Sequence, residues 1–191
     1  MSTQKDSTED VVRRIGLARG ILQAMGKVWS SREIGRATKV QMYETLVQSV
    51  LLYNAETWTL REEQKRRLRV FEMTCLRKIE GVTRKDRIRN TVIYDRLNIK
   101  QDIVDKVRNR RMRYFGHVSR MGNERYPKIA LNGYVHGKRS RGRPKKRWID
   151  TIRDDCEAIG MTIQEATHVA QDRQKWRATM GKRLTRADGI A

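Results

Sequence analysis

The sequence predicts a mostly α protein: a helical bundle, then a basic irregular segment, then a C-terminal pair of helices. Three observations carry this. Only two prolines occur in 191 residues, Pro127 and Pro144. Apolar residues recur at i, i+3, i+4 and i+7 over long stretches, the period of a helix with one buried face. Three pairs, Ser30 with Glu33, Thr59 with Glu62 and Thr162 with Glu165, have the spacing of a capping box.

The elements follow in chain order. From Ser7 to Val28, the residues Val11, Ile15, Ala18, Leu22 and Met25 lie on one stripe. From Ala37 to Tyr53, an apolar face is formed by Val40, Tyr43, Leu46/Val47, Val50 and Leu51. From Arg61, the pattern continues through Leu68, Phe71/Glu72, Cys75, Leu76 and Ile79 to Gly81, a C-terminal stop. Asn90 caps a short helix through Leu97. From Gln101 to Met121, Ile103, Val107, Tyr114, Phe115 and Val118 group together, with arginines on the other faces. Residues 123–143 read as irregular, with weak strand alternation at Val135 only. From Lys145 to Ile159, Trp148/Ile149, Ile152, Cys156 and Ile159 share a side, and a last helix runs from Thr162 to about Met180. These patterns divide the chain into a disordered start at 1–6, a helical domain at 7–122, a basic linker at 123–144, a helical pair at 145–180 and a disordered tail at 181–191.

Charge limits the partners. Lysine and arginine number 43 against 22 acids, a net charge of +21. Between Arg108 and Arg147, fourteen basic residues face Glu124 alone, a net +13 in forty residues. Such a block repels itself unless a polyanion neutralises it, and phosphate on nucleic acid is the matching counter-charge. The longest strongly apolar run, Val50 to Tyr53, is far below the ~20 residues that span a bilayer, so no membrane is expected. The polar, acidic N-terminus carries no secretory pattern, and two cysteines make no disulfide framework. An intracellular, reducing location follows, with the basic run Lys138 to Arg147 readable as a nuclear address.

Catalytic constellations are missing. A polymerase needs acids that hold two metal ions at the reacting phosphate, yet the single Asp-Asp, Asp154-Asp155, sits in an amphipathic helical pattern and reads as a solvated face. Pro127 and Pro144 are each followed by lysine, which excludes the Pro-Asp nuclease pattern. Gly133 to Lys138 and Gly20 to Lys27 miss phosphate-loop spacing by one residue each. His117, His136, His168, Cys75 and Cys156 are scattered, without the close ligand pairs of a zinc site. No cofactor and no metal are expected, and His117 and Cys75 read as a helix-edge polar residue and a small core residue.

The sharpest motif is Lys138-Arg139-Ser140-Arg141-Gly142-Arg143-Pro144-Lys145-Lys146-Arg147. Its Arg-Gly-Arg-Pro core resembles an AT-hook, in which glycine lets the backbone approach a narrow A·T minor groove and the arginines lie in its negative potential. Two other readings stand beside it. The run contacts phosphate as an ordered loop, or Pro144 is simply the first residue of the following helix.

Five strings in order resemble the C-terminal part of LINE-type (non-LTR) retrotransposon reverse transcriptases. They are Val11-Val12-Arg13-Arg14-Ile15-Gly16-Leu17-Ala18, Leu51-Leu52-Tyr53-Asn54-Ala55-Glu56-Thr57-Trp58, Phe71-Glu72-Met73-Thr74-Cys75-Leu76-Arg77-Lys78-Ile79, Arg113-Tyr114-Phe115-Gly116-His117-Val118-Ser119-Arg120-Met121 and Gly142-Arg143-Pro144-Lys145-Lys146-Arg147-Trp148-Ile149-Asp150. The resemblance implies a thumb and the basic segment behind it, with palm and fingers elsewhere in a parent polyprotein. It implies backbone contacts to DNA or an RNA–DNA hybrid with little sequence preference, and no polymerase chemistry in this chain. Arginines on apolar-backed helices suit that work. The candidate contacts are Arg66, Arg67, Arg69, Arg108, Arg110, Arg111 and Arg113, joined by Lys138, Arg139, Arg141, Arg143, Lys145, Lys146 and Arg147. Tyr53 and Trp58 read as packing residues. Two alternatives remain: an independent A·T-preferring DNA-binding module, and a basic helical component of a ribonucleoprotein.

Overall fold

The computed structural model describes residues 7–133 and 146–184. Among them the chain is mostly α, with no strand. It separates into two compact units, one of residues 7–54 and 60–106, the other of 55–59, 107–133 and 146–184. None of the described helices is long and apolar enough to cross a membrane.

The first unit is built around α5 (Glu62–Glu80). Leu68, Phe71, Cys75, Leu76 and Ile79 recur at helical spacing and are all buried. Against them pack α1 (Ser7–Ala24), α2 (Gly26–Ser30), α3 (Arg36–Met42) and α6 (Asn90–Arg96). Between α3 and α4 (Ser49–Leu51) the helix widens into a π segment, Tyr43–Gln48. There Thr45 and Ser49 hydroxyls donate to the carbonyls of Gln41 and Thr45, at 2.8 and 2.6 Å. Such back-bonds compete with the helical ladder. Trp29 donates from Nε1 to the Leu22 carbonyl at 2.8 Å, and the buried Lys39 ammonium donates to the carbonyls of Trp29 and Ser31. Lys39 thus satisfies and neutralises the C-terminal end of α2. α5 stops at Gly81, whose φ of 73° closes a turn in which the Val82 N–H donates to the Arg77 carbonyl at 3.0 Å.

Glu72 is the buried acid of this unit. It is fully enclosed, and one carboxylate oxygen accepts from the Tyr94 hydroxyl at 2.8 Å and from the Ile103 N–H at 2.9 Å. The second bond caps α7 (Ile103–Ser119), which starts there. The other oxygen is buried without a hydrogen-bond partner among the described residues.

In the second unit, the later part of α7 supplies Met112 and Phe115 to a core completed by α9 (Trp148–Ala158), α10 (Ile163–Ala170) and α11 (Arg173–Leu184). Ile152, Cys156, Ala166, Ala170, Trp176 and Met180 fill it. Phe115 and Trp176 rings lie 6.0 Å apart in a tilted pair. Gly116 is required at this helix crossing, because a Cβ there would strike the Trp176 indole. α8 (Tyr126–Asn132) carries Pro127 in its first turn.

Several expectations change. Ser30 ends α2 and donates back to the carbonyls of Gly26 and Lys27 instead of capping a helix. α5 begins after Arg61, not Thr59, with the Arg61 N–H donating to Gln64 Oε1 at 2.7 Å. Thr162 and Glu165 do form the third box. Residues 123–133 contain α8 rather than irregular chain. The C-terminal pair is three helices, because Gln171 and Asp172 end α10 in a turn and Asp172 accepts from the N–H groups of Gln174 and Lys175. The last helix reaches Leu184, past the expected end near Met180. The change of compact unit falls at residue 107, inside α7, because α7 feeds apolar residues to both cores. Leu46 is exposed. Val135 and Pro144 lie outside the described residues, and α9 itself begins at Trp148 with Arg147 as its cap. Residues 1–6, assigned to a disordered start, are also outside them.

Candidate nucleic-acid interface

One face of α5 carries Arg66, Arg69/Val70, Met73/Thr74 and Arg77/Lys78, a spacing of i, i+3/4, i+7/8 and i+11/12. At ~1.5 Å per residue this face runs about 18 Å. It forms one wall of a groove of about 700 Å³; α6 and the turn at 82–84 form the rest. Five cations, Arg66, Arg69, Arg77, Lys78 and Arg84, meet one acid there, Asp102. Asp102 binds Arg69 Nε at 2.6 Å. Arg77 is held in place, its Nη2 donating to Asn90 Oδ1 at 2.8 Å and to the Ile88 carbonyl at 3.2 Å. Arg66, Lys78 and Arg84 are exposed and make no ion pair with the described residues. Val70 is 53% exposed in the same wall.

Sequence reasoning found Arg66 and Arg69 and missed the other three cations. The signal for Arg77 and Lys78 was present, since they continue the face of Arg66 by three turns. Arg84 had none, because a turn brings it there. Arg67, the third α5 candidate, points elsewhere and pairs with Glu63 at 2.5 Å on the helix surface.

A second groove of about 640 Å³ lies beyond Lys78 and includes Arg32, Arg36 and Lys39. Two of its cations already have partners within the protein. Arg36 pairs with Glu80 at 3.1 Å, and Lys39 is spent on two backbone carbonyls.

On α7, the four arginine candidates separate. Arg110 and Arg113 are exposed. Arg111 is 4% exposed and grips Asp155 with two bonds, Nε–Oδ2 at 2.6 Å and Nη2–Oδ1 at 2.9 Å, while Nη1 donates to the Trp58 carbonyl at 2.9 Å. Arg108 Nε lies 3.6 Å from the same carboxylate. Arg111 is therefore corrected from a phosphate contact to a buried structural ion, because helical geometry turns it inward onto an acid. Asp155 is likewise buried, not on a solvated face, whereas Asp154 is exposed and pairs with Lys146. The two carboxylates do not converge. Among the described residues no cluster of His, Cys, Asp and Glu suits a metal ion.

Arg147 is exposed, caps α9 and binds Asp150 at 3.1 Å. That side-chain bond, helped by the Arg147 N–H, holds the Asp150 carboxyl below its usual range. Lys138, Arg139, Arg141, Arg143 and Lys145 lie outside the described residues. Trp58 is buried as anticipated. Tyr53 is not: it is 63% exposed, with the Arg14 guanidinium 4.3 Å above its ring. Cys75 is buried, and its thiol is pushed up to about 12 by desolvation, so it is an inert core residue.

Fold and surface define a strongly basic, helical chain with a cation-lined groove. No protein family profile and no solved structure matches it. The chain is 24% identical over 154 residues to an uncharacterised transposon-derived protein of Caenorhabditis elegans, a match covering 77% of this chain and 55% of that protein. It thus spans about half the length of the curated relative it matches.

Proposed function

We propose that this chain is a nucleic-acid-binding part of a transposon-encoded reverse transcriptase of LINE type. It holds the backbone of a template–primer duplex, DNA or RNA–DNA hybrid, in the manner of a thumb, and works in the nucleus beside palm and finger domains encoded elsewhere. The observation that carries this is the row of cations along one face of α5. The helix is anchored by a buried, mostly apolar opposite face, so the charges are carried on a fixed helix. A fixed cationic array favours phosphate without reading bases. The transposon-derived relative supports the genomic context.

Binding then falls steeply with salt. Engagement of six phosphates gives a log–log slope of roughly −5, at ~0.9 counterions released per phosphate. Fluorescence anisotropy on a labelled hybrid over 50–300 mM salt measures it, and a slope near zero refutes the proposal. The chain alone performs no polymer chemistry. Primer-extension and nicking assays with Mg²⁺ or Mn²⁺ should stay at background, and extension abolished by Asp154→Ala would overturn that statement.

A further inference from the structure

Resting on the nucleic-acid function above, the geometry points to a more specific ligand for the α5–α6 groove: we propose that it takes an unpaired strand, seating one exposed base against Val70 between flanking phosphate contacts. Val70 is 53% exposed at the middle of the wall, with Arg66 one turn before it and Lys78 two turns after it. The cations alone serve a duplex backbone, but an apolar side chain left open between them adds a contact that a duplex cannot use. A duplex keeps its base faces stacked and offers a protein only backbone and groove edges. A single strand offers both parts together, a phosphate for each cation and a π face for the apolar patch, without regard to sequence.

The polar groups of the groove fit this ligand. Asn90 Oδ1 is occupied by Arg77, which leaves the amide N–H₂ as a donor toward a base edge. The Thr74 hydroxyl donates to the Val70 carbonyl at 2.8 Å, so its oxygen is presented as an acceptor. The groove of about 700 Å³ is large enough for a nucleotide-sized ligand, within the ~300–1,000 Å³ usual for small-molecule clefts. Arg69 closes one end through Asp102. The neighbouring groove at Arg36 and Lys39 lacks this combination, because no exposed large apolar side chain lines it and both of those cations already have partners.

The test uses the full 191-residue chain, a labelled 12-nucleotide thymidine strand, a labelled 12-base-pair mixed duplex and unlabelled inorganic polyphosphate, at one fixed salt concentration. Val70→Gln keeps the charge and suits an exposed helix position. It should weaken single-strand binding at least fivefold and duplex binding less than twofold. Arg66→Ala with Arg84→Ala should weaken the single strand more than the duplex. Polyphosphate at equal phosphate concentration should displace the single strand poorly. Equal losses on both ligands for Val70→Gln, no loss on either, or efficient displacement by polyphosphate would each overturn the inference, because charge alone would then account for binding. Salt-dependent binding with a neutral Val70→Gln leaves the proposed function standing and removes only this site. Absence of salt-dependent binding to either ligand removes both. Circular dichroism of Val70→Gln, whose side chain is largely in solvent, separates a lost fold from a lost contact.

Discussion

Replacing Glu72 by glutamine should stabilise the protein above neutral pH and leave it almost unchanged near pH 5. Glu72 is enclosed among α5, α6 and the start of α7, and desolvation raises its carboxyl from 4.5 to about 7. Asp102 adds to the rise; the bonds from Ile103 N–H and Tyr94 hydroxyl, and the charge of Lys106, oppose it. The native state therefore holds a proton that the unfolded chain has already released between about pH 4.5 and 7. Stability from this group is fully present below the unfolded value and is lost as pH rises through the folded one. The gap, at ~1.36 kcal/mol per pH unit, amounts to about 3 kcal/mol. Glutamine mimics the protonated acid. Its oxygen still accepts from Tyr94 and Ile103, and its amide occupies the place of the oxygen without a partner. Urea unfolding of wild type and Glu72→Gln at pH 5, 6, 7 and 8, read by circular dichroism, cancels every other carboxylate in the difference. The difference should grow from below ~1 kcal/mol at pH 5 to about 2–3 kcal/mol in favour of glutamine at pH 8. A constant difference, or one of opposite sign, would refute the assignment of a buried, proton-holding Glu72.

Two further predictions concern the arginines. Arg111→Met leaves Asp155 buried without its partner and should cost about 3–5 kcal/mol in urea unfolding, whereas Arg111→Met with Asp155→Leu should regain most of that loss; no recovery in the double variant would show that the pair is not the source. Changing Arg141 and Arg143 to alanine should weaken mixed-sequence and A·T-rich duplexes by similar factors in paired titrations, since phosphate contacts carry no sequence information. A loss tenfold greater on the A·T-rich duplex, about 1.4 kcal/mol, would instead make the basic run a minor-groove hook.

The helical class and most of the core were legible because buried faces repeat with the helical period. Leu68, Phe71, Cys75, Leu76 and Ile79 announced α5 and its inward side. What failed was local chemistry with two solutions. Ser30 and Thr59 have cap spacing, but Ser30 finds carbonyls behind it and Gln64 serves the Arg61 N–H in place of a Thr59 box. Residues 123–143 read as irregular, yet Pro127 sits in the first turn of α8, where its missing N–H costs nothing. Arg111 was legible and missed. At about 100° per residue, it falls in the middle of the arc spanned by Val107, Met112, Phe115 and Val118, whereas Arg110 and Arg113 fall opposite. A charge at the centre of an apolar arc requires a buried counter-charge, and Asp155, one residue from Cys156 on α9, was the candidate. The groove was half legible: α5 shows three of its turns, but its other wall depends on how α6 folds back.

Where the acids lie decides which cations remain for a ligand. The chain has about two basic residues for each acid, so charge count alone does not single out a surface. Glu62 and Glu63 hold Lys65 and Arg67 at the start of α5, and Glu80, nearly enclosed, holds Arg36 and Arg96 at its end. Glu72 is turned into the core. Asp155 takes Arg111 out of α7, with Arg108 close by. In the first unit, Glu62, Glu63 and Glu80 thus take up cations, and none of these acids lines the groove. Only Asp102 does, and it binds Arg69 at one end, leaving Arg66, Lys78 and Arg84 facing solvent. Those three line one groove with no carboxylate partner among the described residues, so an incoming phosphate is their available counter-charge. The unpaired cations of the groove are therefore a more selective marker of the proposed binding face than the longer basic run between Arg108 and Arg147, within which Arg111 and Arg147 already have carboxylate partners.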